Sequence, residues 1–266
     1  MSIETTGSRV FGFVAARADE MILAATLLTR IPMPPARHGD SEALARAVWA
    51  YPLVGALVGG IGALIFTLAR AGNLPATIAA WIALAAMVLA TGCFHEDGLA
   101  DFWDGIGGGH TVERKLEIMR DSRIGSYGAA ALIMALGVRA SLIAALDEHG
   151  MAAVGCIVAG VLGRVAIAGV LATLGAARAD GLAATAGTPP LASSLGALGV
   201  GLAVGMLLCV TLDLATGIAA LGVTAAVALA CRTLMQRQIG GYTGDGLGAT
   251  EQKAEIAVLV SLLALA

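Results

Sequence analysis

The sequence predicts an all-α fold, a polytopic transmembrane helical bundle of about seven spans with an N-terminal interfacial helix. Three observations carry that expectation. Only 13% of the residues are charged and 58% are hydrophobic, whereas a soluble domain is nearer a quarter charged. The mean hydropathy of +0.86 is concentrated in runs of roughly 20 apolar residues, the length that crosses a bilayer. The polar segments between those runs are long on one side and very short on the other. Sixteen basic and nineteen acidic residues in a chain of 266 exclude a water-soluble Ala/Gly-rich bundle.

Taken in order, the segment 9–30 carries Arg9, Arg17, Asp19 and Glu20 beside VFGFV and MILAATLL. It is amphipathic, so it lies in the interface or enters the bundle. Asp19 and Glu20 precede its main apolar stretch, so no cleavable signal peptide is expected. Pro32, Pro34 and Pro35 force a non-helical break after it. Spans are then expected at 51–71, 75–94, 127–146, 151–175, 191–211, 215–233 and 254–266. Glycine is abundant, at 36 residues, and small residues let helices approach closely in lipid. No internal repeat or second domain is visible, so residues 1–266 read as one domain. Cys93, Cys156, Cys209 and Cys231 show no metal-ligand spacing and read as reduced, small apolar residues.

Alternating through the spans places segments 30–50, 95–126, 176–190 and 234–253 on one side. Arg30, Arg37, Arg46, Arg114, Lys115, Arg120, Arg123, Arg178, Arg232, Arg237 and Lys253 lie on that side, against Arg70 alone on the other. Eleven against one makes the side with the long loops cytoplasmic. Every long polar segment therefore gathers on one face, the layout of a membrane enzyme with cytosolic substrates.

The stretch FHEDGLADFWDG (94–105) opens that face. Asp97, Asp101 and Asp104 stand at i, i+4 and i+7, within an arc of about 60° on one helix. Glu96 points elsewhere. Two carboxylates about 6 Å apart repel by roughly 3 kcal/mol at an effective dielectric near 20. Leu99, Phe102 and Trp103 hold the opposite face, so the helix cannot turn the acids apart. Either some carboxyls hold protons or a cation sits among them. Hard oxygen ligands without Cys or His in the stripe favour Mg²⁺ or Mn²⁺ over zinc. One or two acids at a helix start would merely complement its dipole; three over two turns go beyond that. His95 adjoins the stripe and is a candidate functional group.

Lys115, Arg120 and Arg123 follow within one loop, with Asp121 and Ser122 between them. Cations beside a metal-binding stripe suit a phosphate or diphosphate. In QIGGYTGDGLGATEQ (238–252) the glycines, Gly241 and Gly244 among them, expose backbone N–H groups as phosphate-cradling loops do. No Walker or Rossmann fingerprint is present. Asp245 is a candidate fourth metal carboxylate or a hydroxyl-orienting group. Arg164, mid-span, is expected to face the interior and find an acid. Asp213 is expected at the opposite membrane face, and His38, His110 and His149 in solvated loops.

In order, TRIP (29–32), FHEDGLADFWDG (94–105), KLEIMRDSRIGSYG (115–128) and GGYTGDGLGA (240–249) resemble the adenosylcobinamide-GDP ribazoletransferases, also called cobalamin 5′-phosphate synthases. The resemblance covers nearly the whole chain. Glu96 stands where the common form of the acidic motif has Leu, which leaves Asp97, Asp101 and Asp104 as the better ligands. The resemblance implies a bacterial inner-membrane, multi-pass enzyme with its active site facing the cytoplasm. Such an enzyme requires Mg²⁺ and joins adenosylcobinamide-GDP to α-ribazole or its 5′-phosphate, releasing GMP late in cobalamin synthesis.

Mapped here, Asp97, Asp101 and Asp104 would hold Mg²⁺, with Asp245 beside them. Lys115, Arg120, Ser122 and Arg123 would clamp phosphate, and Gly241, Thr243 and Gly244 would cradle it. His95 or an aspartate would take the hydroxyl proton. The membrane lipid is an expected partner, nucleic acid is not, and the small-residue helix faces permit a homodimer. A CDP-alcohol phosphotransferase of lipid synthesis and a cation-coupled transporter are the rival readings.

Overall fold

Lipid offers backbone N–H and C=O groups no outside partner, so each long apolar run must close its hydrogen bonds internally as a helix. The structure is a computed structural model that describes residues 4–36, 41–178 and 187–266. Arg37 and His38 lie outside the described residues. The helices are α1 (Glu4–Leu28), α2 (Ser41–Arg46), α3 (Tyr51–Ala71), α4 (Ala76–Thr91), α5 (Phe94–Gly108), α6 (Val112–Ile118), α7 (Ser126–Leu146), α8 (Ala152–Leu171), α9 (Leu191–Thr211), α10 (Leu214–Ile239) and α11 (Gly244–Ala264). None of the four cysteines forms a disulfide.

The bundle is wound around α8, which buries 83% of its most apolar window inside the protein, against 28% for α7, α9 and α10. Glycine explains how α3 comes so near it. A Cβ on Gly55 would lie 2.1 Å from the Gly160 carbonyl oxygen, and one on Gly59 would lie 2.4 Å from that of Cys156. The two backbones therefore touch, and dispersion over the shared face replaces the hydrophobic drive that lipid removes. Helix α1 enters the bundle through its second half. Ala24, Ala25 and Leu28 are buried, and buried Glu20 accepts from Trp49 Nε1 at 2.7 Å and pairs with Arg17 and Arg46.

Two expectations change. Among the described residues, five segments are long and apolar enough to cross a membrane, and six if α4 and α5 form one broken span. The sequence suggested about seven. The missing one is 254–266, which is the second half of α11. That helix starts at Gly244 and carries Asp245, Glu251, Lys253 and Glu255, so the predicted loop 234–253 shrinks to a turn at 240–243. Lys253 is not a loop cation: its ammonium sits 4.6 Å from the Trp103 ring centroid.

The second change concerns 75–94. Helix α4 stops at Thr91, and α5 leaves at 87° to it. Gly92 (φ 65°) and Cys93 (φ 62°) both adopt the left-handed conformation there. Gly92 and Cys93 N–H groups donate back to Leu89 and Val88, closing α4. For Cys93 that conformation costs on the order of 1 kcal/mol. The TRIP segment holds the corner, because Arg30 N donates to Ala90 O at 2.7 Å and the Arg30 side chain covers Gly92 where a Cβ would stand.

Gly55→Val tests the α3–α8 contact. Its Cβ has no room, and overpacking of this kind costs about 1–3 kcal/mol. A lower unfolding temperature in detergent is expected; an unchanged one would show that the helices separate without penalty.

Candidate active site at the α5–α11 crossing

The right-angle corner frees α5 to lie across the end of the bundle, outside the α4 span, with Leu99 and Phe102 buried beneath it. Along its stripe Asp97 is exposed, Asp101 half-buried and Asp104 buried. Helix α11 crosses α5 backbone to backbone. A Cβ on Gly98 would lie 3.1 Å from Asp245 Cα, and one on Gly248 would lie 3.3 Å from Gly98 Cα. This crossing places Asp245, in the first turn of α11, alongside Asp97 and Asp101.

The charges respond to that crowding. The Asp101 carboxyl is pushed up to about 7, first by burial and then by Asp97, Asp245, Asp104 and Asp121. Asp245 is pushed up to about 6, chiefly by burial, with Arg178 and a hydrogen bond from Thr243 opposing. Asp104 is engaged differently. Its Oδ2 accepts from Gly125 N at 2.7 Å and its Oδ1 from Gly128 N at 2.8 Å, which caps the start of α7. No three His, Cys, Asp or Glu side chains among the described residues form a ready metal-ligand set. Even so, mutually repelling, partly dehydrated carboxylates on two helices fit a divalent cation, whose charge would relieve both burdens.

The basic turn flanks this cluster. Thr111 caps α6 by accepting from Arg114 N at 3.2 Å. Lys115 packs over Gly109 and donates to Gln238 near the end of α10. Arg120 and Ser122 are exposed, and Arg123 folds onto Asp121 at 2.6 Å. The turn lies close enough for Asp121 to act on Asp101.

The glycine segment is not an open loop. Gly240 (φ 77°) ends α10, and α11 begins at Gly244 with Thr243 Oγ1 accepting from Gly246 N at 3.0 Å. Gly241 lies against the backbone of 175–177, with no room for a Cβ. Ala177 N donates to Tyr242 O and Tyr242 N to Gly175 O, each at 2.9 Å. Gly241 and Thr243 thus shape the turn, and Gly244 is the exposed member beside Asp245. The bridge also delivers Arg178 to Asp245, with Nη2 3.6 Å from Oδ2. In the sequence Arg178 counted only as a flanking cation.

Below this surface lies a buried ionic network. Arg164 pairs with Glu251 and Glu255, as its mid-span position requires. Arg139 reaches Glu96 at 3.2 Å, Gln252 at 2.9 Å, and Glu255. Gln252 Nε2 donates to Glu96 at 2.9 Å and to Glu251 at 3.0 Å. His95 belongs here rather than with the stripe. It is 2% exposed, with Nδ1 3.4 Å from Arg164 Nη2 and 3.8 Å from Glu251 Oε2. The sequence signal for this network was present in E-Q-x-x-E (251–255) together with two mid-span arginines.

A helical membrane bundle whose carboxylates, cations and helix ends collect at one pole, above a fully buried ionic plug, is laid out as a membrane-embedded enzyme. The chain matches the family described as cobalamin-5-phosphate synthase over residues 20–263, and it belongs to that family, whose members are transferases of cobalamin biosynthesis. Similar proteins named adenosylcobinamide-GDP ribazoletransferase include one from Bradyrhizobium diazoefficiens, 43% identical over 91% of this chain and 92% of its own length. One from Mesorhizobium japonicum is 41% identical over 91% and 92%, and one from Rhizobium etli is 43% identical over 90% and 94%. No solved structure matches this chain significantly.

Two outcomes are expected. The folded Asp101 and Asp245 values of about 7 and about 6 exceed those of an unfolded carboxyl, near 3.9. These two groups therefore bind more protons in the folded protein over that interval, and their contribution to stability falls as pH rises from about 4 to about 7. Asp101→Asn should flatten that fall in detergent unfolding scans; an equally steep fall would assign it to other groups. Arg164→Met, which strands two buried carboxylates, should cost about 3–5 kcal/mol. Its readout is loss of the monodisperse species on size exclusion, and a wild-type profile would deny the network its structural role.

Proposed function

We propose that this chain is a Mg²⁺-dependent adenosylcobinamide-GDP ribazoletransferase of the inner membrane, with its site facing the cytoplasm. The observation that carries the reading is the meeting of Asp97, Asp101 and Asp245 at the Gly98–Gly248 crossing, with Arg178 and the basic turn alongside. The names of its relatives supply the substrate, and the one-sided cations supply the orientation.

In this reading an α-ribazole or α-ribazole 5′-phosphate hydroxyl attacks the cobinamide-bearing phosphorus. The new P–O bond forms as the bond to the bridging oxygen breaks, GMP leaves, and the hydroxyl proton passes to a carboxylate of the cluster. Asp97 and Asp101 would hold Mg²⁺ with Asp245, while Asp104 fixes the stripe against α7. When bound, the ion neutralises charge on the diphosphate and on departing GMP. Lys115, Arg120, Ser122 and Arg123 form a cationic and hydrogen-bonding rim for phosphate oxygens. Gly244 presents the first N–H groups of α11 on the same side, over the turn that Gly241 and Thr243 shape. His95, turned inward, orients α5 and does not touch substrate.

Purified protein in detergent, without any gradient, should release GMP from adenosylcobinamide-GDP and α-ribazole when Mg²⁺ is present. Asp101→Asn should slow this by at least about 100-fold while remaining folded. Near-normal turnover in that variant would remove the proposed site. Turnover of a CDP-alcohol in place of the corrinoid would indicate a lipid phosphotransferase.

A further inference from the structure

One interaction at this pole is left incomplete by the fold. Arg178 and Asp245 face each other at 3.6 Å, beyond the reach of a hydrogen bond. Among the described residues, Arg178 Nη1 and Asp245 Oδ2 are both buried and have no hydrogen-bond partner. Buried polar atoms are nearly always satisfied, so a cation and an anion left short side by side ask for an explanation.

Slack in the chain is not the explanation. Residues 175–177 are tied to Tyr242 by two backbone hydrogen bonds, and Gly241 lets the two strands of chain touch. Arg178 follows one residue beyond that tie, and Asp245 lies three beyond Tyr242, so both side chains leave from tethered backbone. A structural ion pair with such anchors would close to about 2.7–2.9 Å. The gap is the spacing of two groups that each await another partner. For the carboxylate that partner is the cation which Asp97 and Asp101 also call for. For the guanidinium, a planar fork that cannot deprotonate, it is an oxyanion with two oxygens to offer.

We propose that Arg178 is a substrate-binding residue, resting on the function above. It balances Asp245 in the free protein and pairs with diphosphate oxygens of the nucleotide-activated substrate when that substrate is bound. Its charge is then used twice: it limits repulsion among the carboxylates before binding, and it holds the anion afterwards.

Arg178→Gln and Arg178→Lys, compared in detergent with wild type, test this. Arg178→Gln should raise KM for adenosylcobinamide-GDP by about 10- to 100-fold, the loss expected for one hydrogen bond to a charged group. KM for α-ribazole should stay unchanged, and Arg178→Lys should recover part of the loss. Mn²⁺ binding without substrate, followed by electron paramagnetic resonance, should be equal or tighter in Arg178→Gln, because a competing cation is gone. Normal Mn²⁺ binding with an unmoved KM would overturn the role of Arg178 alone. Weakened Mn²⁺ binding, with both KM values raised together, would make Arg178 a structural prop and would also overturn it. Wild-type protein that binds no Mn²⁺, with full turnover in Asp101→Asn, would sink both the site and this assignment.

Discussion

The structure depends on holding carboxylates from two helices together against their own repulsion. The crowding shows in Asp101 and Asp245, whose carboxyls are pushed up by burial and by their acidic neighbours. The same two helices carry the opposing attraction. Glu96 and His95 project from α5, and Glu251, Gln252 and Glu255 from α11, into contacts with Arg139 and Arg164. Glu251 lies six residues beyond Asp245, about 9 Å along the helix. Repulsion at the pole is thus countered one to three turns below it. Between the two levels the Gly98–Gly248 contact fixes the crossing, because any side chain there would part the backbones.

The corner at Gly92–Cys93 is the second requirement. A continuous helix from α4 would carry the aspartates straight out along its own axis, away from α11. Two successive left-handed residues redirect the chain by 87°, which lays the stripe over the bundle. One of those residues is not glycine, so the surroundings must enforce the conformation. Arg30, from the N-terminal segment, packs on the corner at Ala90 and Gly92. The TRIP motif therefore braces the corner between α4 and α5.

Much of this was legible in the sequence because it is local. The stripe at 97, 101 and 104 follows from helical periodicity alone, and an arginine in the middle of an apolar span must find an acid. What was not legible depends on partners far along the chain. Asp104 caps α7 through Gly125 and Gly128, more than twenty residues away. His95 turns inward because Arg164 and Glu251 wait there. The glycines of 240–249 look like a flexible loop by composition, yet several pack against other helices, as Gly246 does against Met235 and Gly248 against His95. In a membrane bundle glycine marks close approach as often as it marks a turn, and one sequence cannot separate the two. The segment expected as a span at 254–266 reads differently for a related reason: its apolar half continues a charged half, whose Glu251 and Glu255 pair with Arg164 and Arg139 inside the protein.

Buried acids and a broken helix are also what a cation-coupled transporter would display, so the state of the acids matters. Glu251 and Glu255 share Arg164, Glu96 and Glu255 share Arg139, and Gln252 links Glu96 to Glu251. Each guanidinium spans two carboxylates on different positions, and exchanging one carboxylate would leave the others unbalanced in a medium that punishes lone charge. A conduit needs sites that bind weakly enough to let go; these ion pairs instead tie α5, α7, α8 and α11 together. The Arg178–Asp245 pair, held at 3.6 Å, stands instead at the pole beside the exposed Asp97. The interior pairs tie four helices to one another, while Asp97, Asp101 and Asp245 gather at the α5–α11 crossing outside that network.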